Sequence, residues 1–546
     1  MPYLFLLLVL ADVCSLIDVL PSFPLIGGFK AAVLCGIFYL TDGLSNKWKC
    51  GFLSLKSLLR FLLWTVVVVF VLLSLLNVCG CSFYGFGVTR RMFTIFQQTS
   101  LSETSQFLPS FWSHMAAPRV LAVVSGGVVL VFFGGRLLRF LHTKCRLLSL
   151  VGLAVWALAG GFSLIYHIAK ADSGRNNYIM LWRAAKAYTD MKSGQRRAAE
   201  LFAQNKPLPH SQSIVTKDVA DNVIVVLGES VDTRHCSSYG YTLATNRFSS
   251  AWENEPGFLL FSDAISPYCS TEETVSRLFT FMDDRPESDC EQWADFPNVV
   301  AVMKAAGYKC FWLSNQQRLG KYMDCATPIA ELSDSAVWLR EYESDVVLNQ
   351  FDDALLPHLR NALADTAPKK FIVMHLYGAH PSYDKRYPSS RMLFSPDDVP
   401  VSSLAKTDAE KEIVAHYDNA VAFSDSVMAC VLAVVKDDSA RTSLVFLSDH
   451  GQNVFDSDAS FGHHPAHVNV PMYVFCNAAY CAANQGLFGS LSNHKDRPVS
   501  SAHLIHTFLG LGGVSYSAYC PSLDLTSVCY QLQVRYANQK VYVTEK

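Results

Sequence analysis

Glu229 follows the apolar run NVIVVLG, and Asp449-His450 follows RTSLVFLS. Two carboxylates and an imidazole at the ends of such runs supply three of the four ligands of a tetrahedral Zn²⁺, provided the runs are neighbouring strands. The fourth ligand must come from elsewhere. The segment CSTEETVSRLFTF (Cys269 to Phe281) reads as a loop opening into a helix, with Ser270, Thr271 and Thr274 near its start. Backbone N–H groups and the helix dipole favour anions there, and a threonine hydroxyl can be both ligand and nucleophile; ordinary N-capping uses the same residue types. A bound metal would lower the hydroxyl pKa, and the helix end would stabilise an attached phosphoryl group. His380 in HLYGAHPSYDKRYP, and His463, His464 and His467 in GHHPAH, are loop histidines suited to binding phosphate and protonating a leaving alkoxide.

These residues need a frame that brings distant segments together. From Asn222 onward, short β-branched runs (NVIVVLG, KKFIVMHLYG, RTSLVFLS, NVPMYVF) alternate with helical stretches such as Glu410 to Val435. That alternation predicts an α/β domain with a mostly parallel sheet and helices on both faces, its site beyond the carboxyl ends of the strands.

The first third of the chain is different. Of 546 residues 51% are hydrophobic and 17% charged, and long runs almost free of charge crowd this region. Five candidate spans follow: Tyr3 to Pro21, Leu25 to Thr41, Leu58 to Val78, Val120 to Leu138 and Leu147 to Ile168. Lys47, Lys49, Lys56 and Arg60 after the second, and Arg136, Arg139, Lys144 and Arg146 after the fourth, mark those connectors as cytoplasmic, so everything after the fifth span is exported. A cleaved signal peptide fits less well, because the N-terminus lacks a basic start, contains Asp12 and Asp18, and leads into more spans. The division predicted is a transmembrane α-helical bundle over 1–169, a bridging helix and linker over 170–218, and a soluble domain over 219–546. A net charge of -2 excludes the basic excess that nucleic-acid binding requires.

Ten of the 16 cysteines (236, 269, 290, 310, 325, 430, 476, 481, 520 and 529) fall in the soluble domain. An even number in an exported domain predicts disulfides, with Cys310 and Cys325, Cys476 and Cys481, and Cys520 and Cys529 as candidate pairs. No CxxC occurs, which disfavours a zinc cluster built from cysteine.

VVLGES followed by SSYGY, the threonine-bearing helix start, WLSNQ (Trp312 to Gln316), HLYGAHPSYDKRYP, HYDNAVAFSD, SDHGQ and FGHHPAHVNVPM occur in an order that resembles the phosphoethanolamine transferases of the alkaline-phosphatase/sulfatase superfamily. The five spans match that family too. The resemblance implies a sulfatase-like fold in which Glu229, Asp449, His450 and a nucleophilic threonine bind zinc. Aligning TEETVSRLFT with the family pattern T-x-x-S-V-P-x-x-F-S selects Thr271, with Thr274 as the alternative register. It further implies phosphate-binding roles for His380 and for His463 or His464, a substrate-side Asn315, and Lys321, which lies one position from a family lysine. Ser276 stands where the family has proline, and the sulfatase nucleophile signature is absent, since Thr271 and Glu273 follow Cys269 at its key positions.

The activity implied is transfer of phosphoethanolamine from phosphatidylethanolamine to lipid A or the lipopolysaccharide core. The enzyme is expected to be a monomer in the bacterial inner membrane with its catalytic domain in the periplasm. A phosphoglycerol transferase is the rival within the superfamily. A non-enzymatic membrane receptor or transporter is the rival from another class, against which stand the lack of repeat symmetry among the spans and the clustering of acids and histidines in the soluble part.

Overall fold

The structure is a computed structural model that describes residues 65, 188–189, 214–282, 284–285, 293–319, 325–342, 350–457, 467–538 and 540–542. Two compact units divide the chain, 1–99 with 107–192 and 100–106 with 193–546, and almost all described residues belong to the second. The five candidate spans lie outside the described residues, Thr65 excepted.

The β-branched runs form strands as their composition predicts. In chain order the main strands are β1 (Asn222–Gly228), β2 (Phe258–Phe261), β3 (Lys309–Leu319), β4 (Ser335–Tyr342), β5 (Lys370–His375), β6 (Thr442–Ser448) and β7 (Met472–Cys476). They make one seven-stranded sheet ordered β2-β7-β6-β1-β5-β3-β4. Strand β1 runs parallel to β5 and β6, and β3 parallel to β5 and β4. At the other edge β7 is antiparallel to β6 and β2, because the 449–471 connection returns the chain into the sheet at the end where it left. The sheet is therefore mixed, with its parallel part at the centre and one antiparallel edge.

Period-two alternation sends neighbouring strand residues to opposite faces, and here both faces are buried. Val223, Val225 and Leu227 of β1 join a core with Trp312, Val373, Leu447 and Phe508; Ile224 and Val226 join a second with Leu313, Met374, Phe446 and Met428. Helices α1 (Thr271–Leu278), α2 (Val299–Ala305) and α5 (Leu504–Gly512) contribute to the first, whereas α3 (Leu356–Leu363) and α4 (Asp408–Lys436) cover the second.

Helix α4 starts at a capping box, with the Glu410 N–H donating to Thr407 Oγ1 at 3.2 Å and the Thr407 N–H donating to Glu410 Oε2 at 2.9 Å. Among the described residues it alone is long and apolar enough to cross a bilayer, but 78% of its most apolar stretch is buried, as in the core helix of a soluble domain. Two of its polar residues act across the fold. The Tyr417 hydroxyl donates to Ser230 O at 2.7 Å and accepts from the Asp232 N–H at 3.1 Å. Asp418 Oδ1 lies 2.6 Å from His235 Nδ1, while His235 Nε2 lies 2.9 Å from Asp456. One buried imidazole thus ties the loop after β1 to α4 and to the loop after β6.

The expected disulfides are not found. None of Cys236, Cys269, Cys310, Cys325, Cys430, Cys476, Cys481, Cys520 and Cys529 is joined in a disulfide, and Cys290 lies outside the described residues. Cys310 donates to Val300 O, Cys325 to Glu272 O, and Cys520 meets the Ser522 hydroxyl; Cys476 and Cys481 do meet, but as thiols, with Cys481 donating to Cys476 O.

Burial alone would push the His235 imidazole down, but Asp456 and Asp418 raise it to about 10. A raised folded pKa gives stability that is full below the unfolded value of about 6.5 and is lost as pH climbs through about 10. We expect His235→Phe to destabilise the full-length protein by about 3–5 kcal/mol at pH 6 by leaving buried Asp418 and partly exposed Asp456 without their shared partner. The gap from wild type, read by thermal unfolding in detergent, should narrow steadily from pH 6.5 to 10.

Candidate active site and metal centre

Adjacent parallel strands in register end together, which is what brings Glu229 and Asp449 side by side: Gly228 of β1 is opposite Ser448 of β6. The junction is cross-linked. The Asp449 N–H donates to Gly228 O at 3.0 Å, and the Ser230 N–H donates to Asp449 Oδ1 at 2.9 Å. Ser230 has φ 59, a left-handed conformation that a non-glycine residue keeps only when its surroundings impose it. Its N–H bond to Asp449, its carbonyl bond from Tyr417 and its hydroxyl, which donates to Glu229 Oε1 at 2.7 Å, are those surroundings.

Glu229, Asp449 and His450 are all buried, and each offers a ligand atom within 4.8 Å of the others. His450 Nδ1 lies 2.9 Å from Gly451 O, an acceptor only, so Nδ1 carries a hydrogen and Nε2 is turned to the carboxylates. Nε2 is 3.5 Å from Glu229 Oε1 and 3.4 Å from Asp449 Oδ2. Thr271, the first residue of α1, completes the group: its hydroxyl lies 3.2 Å from Glu229 Oε2 and 3.5 Å from His450 Nε2. Thr274 is turned away into the interior, with its hydroxyl 2.8 Å from that of Ser266. Ser270 is the N-cap by position, but its hydroxyl donates to Glu273 Oε2 at 2.7 Å and no side chain caps the helix start.

The electrostatics of the trio are those of charges forced together. Burial would raise Glu229, yet the hydrogen bond and charge of His450, the charge of His380 and the Ser230 hydroxyl hold it well below the usual carboxylate range. Burial and the Glu229 charge push Asp449 well up, while the two carboxylates overcome burial to raise His450 to about 9. Asp449 Oδ2 is buried without a hydrogen-bond donor among the described residues. A buried carboxylate oxygen lacking a donor, beside a second carboxylate, an imidazole nitrogen and a hydroxyl, fits a divalent cation.

Further residues steady this set. Gln316 Nε2 donates to Glu229 Oε2 at 3.1 Å and to Leu376 O at 2.9 Å. Gly378 has φ +45, and a Cβ there would come within 2.8 Å of Glu229 O and 2.9 Å of Glu229 N, so only glycine lets this loop lie against the ligand. Buried Asp352 accepts from the Tyr377 and Gly378 N–H groups at 2.8 and 2.9 Å, and from Asn315 Nδ2 at 2.8 Å. Asn315 accepts in turn from Arg340 Nε at 3.1 Å. Asn315 therefore belongs to the network that positions the loop, and its neighbour Gln316 is the residue that meets the trio.

His380 lies on that loop, partly exposed and stacked on Tyr377 with ring centroids 5.0 Å apart. His467 points elsewhere, with Nδ1 3.1 Å from Asp232 Oδ2. Burial pushes His375, at the end of β5, down to about 4, so it stays neutral beside the site. His463, His464 and Lys321 lie outside the described residues. Gln316 and Gly378 sat inside motifs already noticed; Asp352 carried no sequence signal, because the Asp352-Asp353 pair looks like any surface acid.

Two measurements test this centre. Since the two carboxylates raise His450 to about 9 and Glu229 pushes Asp449 up, Zn²⁺ loading at pH 7 should expel at least one proton per ion. Calorimetry in two buffers of different ionisation enthalpy reads that number. Gly378→Ala should weaken Zn²⁺ affinity by about 10–100-fold, the cost typical of disturbing a ligand's support, while circular dichroism stays that of the wild type.

Residues 221–514 match the family model described as Sulfatase. Over 552 residues the chain is 24% identical to phosphoethanolamine transferase EptC of Escherichia coli K12, covering 93% of this chain and 91% of that one. The crystal structure of the C-terminal periplasmic domain of Escherichia coli EptC in complex with Zn superposes with a TM-score of 0.56 at 26% identity, over 61% of this chain and 94% of that one. Integral membrane lipooligosaccharide phosphoethanolamine transferase A from Neisseria meningitidis shares the fold at a TM-score of 0.55 and 18% identity, over 94% of this chain and 97% of that one. With more than half its length matched by the family model, the chain belongs to the Sulfatase family, and the relatives it resembles over nearly its whole length are phosphoethanolamine transferases.

Proposed function

We propose that this chain is a zinc-dependent phosphoethanolamine transferase that moves the headgroup of phosphatidylethanolamine onto lipid A or the lipopolysaccharide core through a phospho-threonine on Thr271. The observation that carries the reading is the Thr271 hydroxyl, set at an uncapped helix start and aimed at Glu229 and His450. Zn²⁺ held by Glu229, Asp449, His450 and Thr271 would lower the hydroxyl pKa and offset charge on the phosphoryl oxygens.

The chain's own groups do the rest. Thr271 Oγ1 forms the bond to phosphorus as the bond from phosphorus to the diacylglycerol oxygen breaks, and the hydroxyl proton leaves along its hydrogen bond to Glu229. His380 gives a proton to the departing oxygen, and the N–H groups at the start of α1 receive the phosphoryl oxygens. In the second half, an acceptor oxygen attacks phosphorus, an acceptor hydroxyl passing its proton to His380 or an acceptor phosphate attacking as the anion while His380 regains its proton from water, and as the bond to Thr271 breaks the threonine recovers its proton from Glu229. His463 or His464 and Lys321 are proposed to hold the phosphate.

The protein acts as a monomer anchored by its N-terminal spans in the bacterial inner membrane, with the catalytic domain in the periplasm. Donor and acceptor are then both held at the same surface, which raises their effective concentration at the site.

Intact mass of the full-length protein, after incubation with phosphatidylethanolamine and Zn²⁺, tests the reading. We expect an adduct of about 123 Da, one phosphoethanolamine group on a threonine nucleophile, present in wild type and Thr274→Ala and absent in Thr271→Ala. An adduct formed only from phosphatidylglycerol would assign the phosphoglycerol branch instead, and none from either lipid would overturn a covalent transferase.

A further inference from the structure

We propose that Arg386, laid against Tyr377 beside His380, is an anion subsite that holds a phosphate of a lipid substrate other than the reacting centre's own contacts. The proposal rests on the transferase reading above and extends it to a residue that reading does not use.

The loop 376–388 folds back on itself. Ser382 is buried at φ 67, and this left-handed turn returns the chain so that Arg386 Nε donates to Ser382 O at 3.3 Å and its guanidinium lies 4.0 Å from the Tyr377 ring centroid. A second guanidinium, that of Arg340, lies 4.2 Å from the same centroid. The two cations are not equivalent. Arg340 is buried, donates to Asn315 Oδ1 and to Gln350 O, and shares its charge with buried Asp352. Arg386 is partly exposed, and no carboxylate pairs with it among the described residues; neighbouring Asp384 is exposed and makes no ion pair with it.

Two guanidinium groups on one ring, with buried Asp352 offsetting the charge of Arg340 and an imidazole stacked on the same ring, leave net positive charge whose repulsion an anion would relieve. A tyrosine face fixes the plane of the Arg386 fork, and a fixed fork matches the paired oxygens of a phosphate. A conformation as costly as that of Ser382 is kept where the surroundings impose it, and here its result is to place that fork on the ring that also stacks on His380. Further along the same segment Met392 and Leu393 are exposed, an apolar neighbourhood that suits the anion of a lipid better than free phosphate.

The phosphate could be that of the donor diester or a second phosphate of the acceptor, and two arms separate them. Full-length wild type, Arg386→Gln and Arg386→Lys in mixed micelles are compared for Thr271 adduct formation against phosphatidylethanolamine concentration. Adduct discharge is then followed against bisphosphoryl and monophosphoryl lipid A. We expect Arg386→Gln to raise the half-saturating concentration of one lipid about tenfold, the loss typical of a charge-assisted hydrogen-bond pair, with the maximal rate within about twofold and partial rescue by lysine. A rise in the first arm assigns the donor phosphate. A rise in the second, with lost preference for the bisphosphoryl form, assigns the acceptor phosphate. Unchanged half-saturation in both arms, or a fall in maximal rate alone, overturns the subsite. If wild type forms no adduct, the transferase reading fails by itself, and equilibrium binding of the same three lipids to wild type and Arg386→Gln decides the subsite: equal affinities overturn it.

Discussion

Glu229 and Asp449 carry like charges, sit at the ends of neighbouring strands and are both withdrawn from water. Either one alone would be costly to bury, and together they repel, so the fold must supply compensating positive charge and donors at this one place. His450 supplies the charge, with Nε2 turned between the two carboxylates by the bond its other nitrogen makes to Gly451 O. Ser230 supplies two donors and Gln316 a third. One oxygen, Asp449 Oδ2, receives none among the described residues. The imbalance left by protein groups is the imbalance a divalent cation corrects, which is why the polar surroundings read as a metal centre and not as a structural network.

Much of the domain can be understood as support for that junction. The parallel register aligns the ends of β1, β5 and β6, with Leu227 opposite both His375 and Leu447. Helix α4 then braces the loop after β1 from outside through Tyr417 and through the Asp418 bond to His235. On the other flank, Asp352 gathers two backbone N–H groups of the loop after β5 and holds Gly378 against Glu229. Each brace is itself buried and hydrogen-bonded, so the ligands have little freedom to relax away from one another.

The parts of this plan that were legible in the sequence are those with local signals. The alternating β-branched runs identified β1, β5 and β6, and the abrupt appearance of Glu229 and Asp449-His450 after them marked the site. The helical stretch Glu410 to Val435 proved to be most of α4. Other parts depend on contacts between distant residues and left no local trace. That β7 is antiparallel follows from where the 449–471 loop returns, and that Asp352 caps a loop near Tyr377 follows from three-dimensional packing of a short segment between β4 and α3. The cysteine pairs misled because closeness in sequence says nothing of where a thiol points: Cys310 and Cys325 bond carbonyls on different elements. Gln316 had no signal of its own beside Asn315: at the irregularity that follows Ser314 in β3, Gln316 reaches Glu229 while Asn315 bonds Asp352.

The two threonines of α1 show how strongly position along a helix decides chemistry. Thr271 and Thr274 are three residues apart, near enough on the helix surface that spacing alone does not choose between them. Thr271 occupies the first helical position, where the chain enters from an extended Ser270 and the hydroxyl projects beyond the helix end toward the strand termini. Thr274 lies one turn in, where its hydroxyl is already committed to Ser266 in the interior and satisfies a polar group that burial would otherwise strand. The same first turn keeps its N–H groups uncapped because the Ser270 hydroxyl is drawn off to Glu273. The proposed nucleophile and the uncapped N–H groups thus come from one helix start, while Glu229, Asp449 and His450 follow strands of the sheet. Only the packing of α1 against the sheet brings the two together, through Val275 and Phe279 in the same core as Leu227 and Trp312.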